Sequence, residues 1–253
     1  QYNFVIMTKI TASELILNPD NSIYHLKLQP HQIAKDIIVV GDPNRVATIS
    51  NYFDSVEHKV ANREILTHTG TLNGKPLTVM STGMGTDNLD IVMNELDALV
   101  NIDLENRTLK TEHTSLNIVR LGTSGALQKD IEIDSFVISE FAVGLDGLMN
   151  YYDFKHTTKE VQLLEQFYNQ TGYLKEFAQP YFVESAAELF NKYDDVVEKI
   201  DVELEKASEK LNGYVAKEEA GQTLSSKEAS YKRFYEQTIA AFEKISASVD
   251  SEL

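Results

Sequence analysis

The sequence predicts an α/β protein with a mixed, mostly parallel central sheet and a helical C-terminal segment, and three observations predict it. First, DIIVVGDPNR, LTVMSTGMGTDN and NIVRLGTSGAL each run from a short β-branched apolar segment into a glycine-containing turn. Short continuous apolar runs of this kind are expected of strands buried on both faces. Second, NLDIVMNELDALVNI lies between the last two of these units, with Leu89, Val92, Met93, Leu96 and Leu99 at helical spacing. A strand, a helix and a strand in that order make a βαβ unit. Third, composition shifts along the chain: nine of the twelve glycines precede residue 150, and no proline follows Pro180.

Taken in order, residues 1–20 read as an N-terminal extension. DIIVV then supplies a first strand, and GDPNR a turn in which Pro43 is suited to open a helix. LTVMS and NIVRL supply further strands around the helix over NLDIVMNELDALVNI, with Ile118, Val119 and Leu121 expected to be buried. SFVISEFAVGLDG repeats the strand-to-glycine pattern more loosely. From about Ala186 the chain is rich in Glu, Lys, Ala and Ser, and VVEKIDVELEKASEKL and EASYKRFYEQTIAAFEKISASV read as amphipathic helices. The expected organisation is an α/β domain over 21–190 and an acidic helical segment over 191–253. In that segment Phe234, Thr238, Ala241, Phe242, Ile245 and Val249 line one side of a helix, either to dock on the core or to offer an assembly surface.

Composition narrows the function. The net charge of -16 argues against nucleic acid and anionic membrane as partners, since both require positive surface. There are no cysteines, so disulfides and thiolate metal sites are excluded. No apolar run approaches the ~20 residues of a membrane span, and QYNFVIMTKI lacks the features of a signal peptide, so a cytoplasmic location is expected. The six histidines show no HxH or HExxH spacing, so no metal site is expected.

The chemistry concentrates at the glycine turns. In doubly wound sheets the ligand site lies beyond the carboxyl ends of the strands. Backbone N–H groups in such turns cradle an oxyanion. Gly41 with Arg45, and Arg120 with Thr123, would add two guanidinium forks and a hydroxyl, and Arg63 in ANREILTHTG is a third arginine candidate. A guanidinium bonds phosphate bidentately and stays charged. Arg120 has an alternative reading as an ion pair with Glu95 or Asp97, and Arg45 as a residue of a simple turn before a helix.

SIYHLKL, VVGDPNRV, NREILTHTGTLNGKPLTVMSTGMGTDNLDIVMNEL, IVRLGTSGALQ and SFVISEFAVGLDGLMNYYD occur in that order and spacing. Together they resemble the nucleoside phosphorylases of the uridine phosphorylase type, over roughly residues 22–152 and more weakly to about 195. The resemblance implies a three-layer α/β/α fold, assembly into dimers or a hexamer, and cleavage of a nucleoside, with uridine expected, by inorganic phosphate to free base and ribose 1-phosphate. No cofactor is implied beyond phosphate as co-substrate. Gly41, Arg45, Arg120 and Thr123 would contact phosphate, Arg63 would reach the phosphate of a neighbouring subunit, and His25 would touch the ribose 5′-hydroxyl across the same interface. The resemblance also implies a Glu-Met-Glu stretch whose carboxylate grips ribose. Here only Glu203-Leu204-Glu205 has that spacing after Arg120, and Val197, Ile200, Leu204 and Leu211 place it on a helix, so the catalytic carboxylate is unassigned. The alternative function is a relative that binds phosphate or a sugar phosphate without turnover.

Overall fold

In the computed structural model the described residues are 9–131, 135–174, 176–233 and 235–236, with backbone alone for 194–205. The apolar stripe from Phe234 to Val249 and the side chains of Glu203 and Glu205 lie outside the described residues. The chain divides into two compact units, Gln1–Thr123 and Ser124–Leu253.

The first unit runs β1 (Asp36–Val40), α1 (Pro43–Ser50), β2 (Ser55–Asn62), β3 (Ile65–Leu72), β4 (Lys75–Ser81), α2 (Thr86–Asn101), β5 (Ile102–Asp103), β6 (Thr108–Leu109) and β7 (Asn117–Leu121). Five strands form one sheet in the order β2-β3-β4-β1-β7. β1 is parallel to β4 and β7, whereas β2-β3 and β3-β4 pair antiparallel. It follows that every strand but β3 points the same way, so the sheet is mixed and mostly parallel. The Asn73–Gly74 turn between β3 and β4 has both residues at positive φ, the geometry of a tight two-residue hairpin.

Alternation along β1 explains the three layers. Ile37 and Val39 face one side with Ile65 and Met80, where they meet Val92, Leu96 and Leu99 of α2 and the N-terminal residues Leu15, Ile23, Leu26 and Leu28. Val40 and Val79 face the other side, where Ile38 and Leu66 join Val46 and Ile49 of α1. A helix therefore covers each face, the α/β/α arrangement expected of apolar strands buried on both sides. The α1 side also holds a polar pair: Ser50 Oγ lies 2.7 Å from His68 Nδ1, and both residues are buried. Burial, with Lys59 nearby, holds the His68 imidazole below its usual range for gaining a proton.

The expectation of a fully buried strand over Ile118–Leu121 needs correction. β7 has β1 as its one strand partner among the described residues, and Leu121 is 46% exposed. An edge position explains this, because an outer strand is covered on fewer sides than a central one.

The second unit contains β8 (Phe141–Gly144), α3 (Thr158–Thr171), β9 (Tyr181–Glu184) and α4 (Ala187–Glu219), followed by helical residues 226–233. From SFVISEFAVGLDG only Phe141–Gly144 is a strand, and it pairs antiparallel with β9 in a two-stranded sheet. α3 starts at a capping box: the Thr157 hydroxyl accepts from Glu160 N–H, and the Glu160 carboxylate accepts from Thr157 N–H at 2.7 Å. The other Glu160 oxygen accepts from Glu184 N–H at 3.0 Å, tying α3 to β9. α4 returns on itself near Gly221, where Lys217 pairs with Glu228 at 2.8 Å and Lys232 with Glu218 at 2.6 Å. Residues 203–205 lie within α4, as their helical spacing predicts. Among the described residues no helix is long and apolar enough to cross a membrane.

Candidate functional site

Sheet order brings the three glycine turns together. β4, β1 and β7 are adjacent and parallel, and Val40 is in register with Ser81 on one side and Leu121 on the other. Gly41, Thr82 and Gly122 thus leave the sheet at the same level. Thr82 N–H continues the ladder, donating to Val40 C=O at 2.8 Å. A Cβ added at Gly41 would come no closer than 3.8 Å to the Gly83 carbonyl, so the two turns lie side by side with room left over Gly41.

α1 follows directly, with Asp42 as its N-cap: the carboxylate accepts from Asn44 N–H at 2.9 Å, and Pro43 holds the first helical position. This cap places Arg45 in the first turn of α1, half-buried and four residues after Gly41. The helix-opening reading of GDPNR therefore describes the local structure, and it is what positions the arginine. A side-chain cap of this kind, from residue i to the N–H of i+2, is favoured because it satisfies a helix N–H that no carbonyl within the helix can reach.

Arg120 shares a sheet face with Val39, its register partner. Its guanidinium folds back over the following turn: a Cβ at Gly122 would stand 2.2 Å from Nη1. Glycine at 122 is thus what lets the side chain lie there. The ion-pair reading of Arg120 does not hold, since both named acids are engaged elsewhere. Glu95 accepts from His25 and Leu26, and Asp97 accepts from Asn101 Nδ2 at 2.7 Å. Among the described residues Arg120 has no acidic partner, and it is exposed at the strand end, where a charge keeps its hydration. Thr123, also exposed, follows in the same turn.

Arg63 and His25 form a second group. Arg63 occupies the turn between β2 and β3 at φ +54°, with its guanidinium carbon 5.9 Å from the centre of the Tyr24 ring. His25 Nδ1 lies 2.7 Å from Glu95 Oε1, and the same carboxylate accepts from Leu26 N–H at 2.8 Å. Asn62 Nδ2 donates to the His25 carbonyl at 2.7 Å. Glu64, next to Arg63, has its Cγ 2.8 Å from where a Cβ at Gly83 would stand, so the β2–β3 turn borders the turn after β4. Sequence reasoning missed the role of Glu95 because its partners lie about 70 residues away and no local spacing signals them. Asp42 was more legible, since an Asp-Pro pair ahead of a helix is a capping signal.

The structure therefore brings Gly41, Arg45, Arg120 and Thr123 to one end of three neighbouring strands, and groups Arg63 with His25 through the Tyr24 ring, Arg63 lying on a turn that borders the one after β4. An exposed guanidinium at Arg120 and a half-buried one at Arg45, at the level of glycine turns, are suited to holding an oxyanion.

Comparison with known proteins identifies the family. A family model described as the phosphorylase superfamily matches residues 35–230. A uridine phosphorylase of Thermococcus kodakarensis is 31% identical over 147 residues, covering 58% of this chain and 48% of the relative. A DeoD-type purine nucleoside phosphorylase of Lactococcus lactis is 30% identical over 151 residues, covering 57% of this chain and 58% of the relative. The crystal structure of a Trypanosoma brucei nucleoside phosphorylase, described as showing uridine phosphorylase activity, superimposes with a TM-score of 0.65 at 31% identity. That superposition covers 70% of this chain and 59% of the other. The chain spans about half the length of the uridine phosphorylases it matches. On the family match and the shared fold, the chain belongs to the phosphorylase superfamily.

Proposed function

We propose that the chain is a nucleoside phosphorylase, a pentosyltransferase that uses inorganic phosphate and no further cofactor to cleave a nucleoside, with uridine as the preferred substrate. The observation that carries the reading is the shared level of the turns after β4, β1 and β7, with Arg45 in the helix that follows one of them and Arg120 at the strand end that precedes another. Gly41, Arg45, Arg120 and Thr123 hold the phosphate. Arg63 and His25 serve the site of a neighbouring copy in a dimer or hexamer, Arg63 on phosphate and His25 on the ribose 5′-hydroxyl. Kinship with uridine phosphorylases at 31–38% identity supports uridine, while purine nucleoside phosphorylases among the relatives make the base a matter for direct assay.

In the proposed reaction a phosphate oxygen attacks C1′ while the bond from C1′ to the base nitrogen breaks. The electron pair leaves with the base, which takes up a proton, and ribose 1-phosphate results. Two guanidinium groups beside the phosphate fix its attacking oxygen below the sugar, and the held anion faces the positive charge that develops on the ring. Each charge-assisted hydrogen bond contributes ~1.5–3 kcal/mol, so a two-arginine cradle is sufficient for capture at ordinary phosphate levels.

The test is release of uracil from uridine, and of base from inosine and adenosine, with and without inorganic phosphate. Phosphate-dependent release from uridine, exceeding that from the purine nucleosides, is expected. Release that does not depend on phosphate, or none from any nucleoside by the folded chain, would overturn the reading. Arg120→Ala should weaken phosphate capture by about ten- to a hundredfold without shifting thermal stability, because the guanidinium is exposed. A matched loss of stability would mark Arg120 as structural instead.

A further inference from the structure

We propose that the buried contact between Ser50 and His68 is a pH-sensitive fastening that holds α1, the helix bearing Arg45, to the sheet, so that mildly acidic conditions loosen anion capture at the adjoining strand ends. The second half rests on the reading of Arg45 as an anion contact; the first stands on geometry alone.

α1 has eight residues, too few to be stable without tertiary contacts. Its buried positions are Val46 and Ser50, so the docking of its last turn depends on how Ser50 is received. Ser50 Oγ meets His68 Nδ1 at 2.7 Å and lies 3.3 Å from the Ala47 carbonyl. With a neutral ring the hydroxyl can donate to the imidazole nitrogen. A protonated ring has hydrogens on both nitrogens, so Ser50 must accept instead and turn its own hydrogen to the longer Ala47 contact.

The added charge also has no compensation. His68 meets Ser50 of α1, and its register partner on β4 is the apolar Val79, on the sheet face where Val40, Val46 and Val79 cluster. Its register partner on β2 is Lys59, a second cation. α1 itself carries only Arg45 as a charged side chain, with Asp42 as its cap, both near the opposite end from Ser50. No acid among the described residues is bonded to His68, which is 6% exposed. Burial and Lys59 both disfavour the proton in the docked arrangement. The sign follows: docking is at full strength above the ordinary histidine range, and it weakens as pH falls through that range, where the released ring takes up a proton that the docked ring refuses.

The experiment reads two properties of the parent chain and of His68→Gln at about pH 7.5 and about pH 5.5. One is amide hydrogen-exchange protection over residues 44–50, corrected for the intrinsic exchange rate at each pH. The other is the affinity for inorganic sulfate, whose charge is constant across this range and which therefore separates the protein's titration from the ligand's. Protection and sulfate affinity should each fall by about three- to tenfold at the lower pH in the parent. Both slopes should flatten in His68→Gln. Unchanged protection in the parent, or an equal slope in His68→Gln, would overturn the fastening. Falling protection with no sulfate binding at either pH would overturn the Arg45 assignment and the link to capture, leaving the fastening itself established. Because the parent alone supplies the protection readout, the test survives a variant that fails to fold.

Discussion

The two units of the chain rest on different physics. In Gln1–Thr123 a mixed sheet is covered on both faces, and Leu26, Leu28, Val39, Met80, Leu96 and Leu99 are all essentially inaccessible to solvent. In Ser124–Leu253 the buried apolar side chains among the described residues are Leu164 and Ala207. What joins its elements is a set of half-exposed ring contacts among Phe154, Phe167, Tyr173, Tyr181 and Phe182, together with the Thr157–Glu160 capping box, the Glu160 link to β9 and, more weakly, the lysine–glutamate pairs around Gly221. Burial of apolar area contributes in proportion to the area removed from water and is not subject to charge screening. Exposed ion pairs contribute little and are screened. The glycine turns after β1, β4 and β7 emerge from the first unit, so their geometry draws on the robust region.

This contrast can be broken by attacking each region in its own terms. The largest effect is expected from Leu96→Ala, which empties a fully buried position on α2 and should cost about 3 kcal/mol or more, read as a lower midpoint in urea. A loss below about 1 kcal/mol would show that the core is loosely packed. Next is Glu160→Gln, which weakens bonds to two backbone N–H groups at the junction of α3 and β9 and should cost about 1–2 kcal/mol. Those bonds, the one from Thr157 N–H foremost, hold the Glu160 carboxyl below the usual carboxylate range. Its contribution is therefore present above the unfolded-state value and is lost as pH falls through the folded-state value, so thermal scans in the acid range should show a step that Glu160→Gln removes.

Thr67→Val sharpens the picture of the first unit. The Thr67 hydroxyl is buried without a hydrogen-bond partner among the described residues, so an isosteric methyl should raise stability by roughly 1 kcal/mol. A drop instead would reveal a bound water at that site. The smallest effect is expected from Lys217→Ala: its half-exposed partner Glu228 is held down to about 2, first by the Lys217 hydrogen bond and then by Ser225, and Ser225 remains. The melting temperature should be nearly insensitive both to this change and to added salt.

How far the fold was legible depended on which period a segment carried. DIIVV, LTVMS and the Leu89–Leu99 repeat state their structure openly, because burial on two faces or along one helical stripe leaves an unbroken apolar signature. β2 escaped notice because Ser55–Asn62 alternates exposed and half-buried positions, a weaker signature. Its hairpin partner could have been found from Asn73–Gly74, and α3 from Thr157, Glu160 and Gly172, the start and stop signals of a capped helix. The convergence of Gly41, Arg45, Arg120 and Thr123 was legible because parallel strands dictate which turns share an end. The pairing of Glu95 with His25, and of Ser50 with His68, was not. Such contacts depend on how separate elements are laid against one another, and no periodicity along the chain encodes that.

The register of the sheet has a kinetic consequence. β2, β3 and β4 are joined by two tight turns, so their pairing needs only short loops, whereas β1 meets β7 across a separation as long as the 81 residues between Asp36 and Asn117. Closing a long loop costs more entropy than closing a short one, and non-local contacts dominate the folding barrier. The meander can therefore assemble early, while Arg120 reaches its place beside Gly41 only when the slowest pairing in the unit is complete. Capture of an anion at these turns would then report the last step of folding rather than its first.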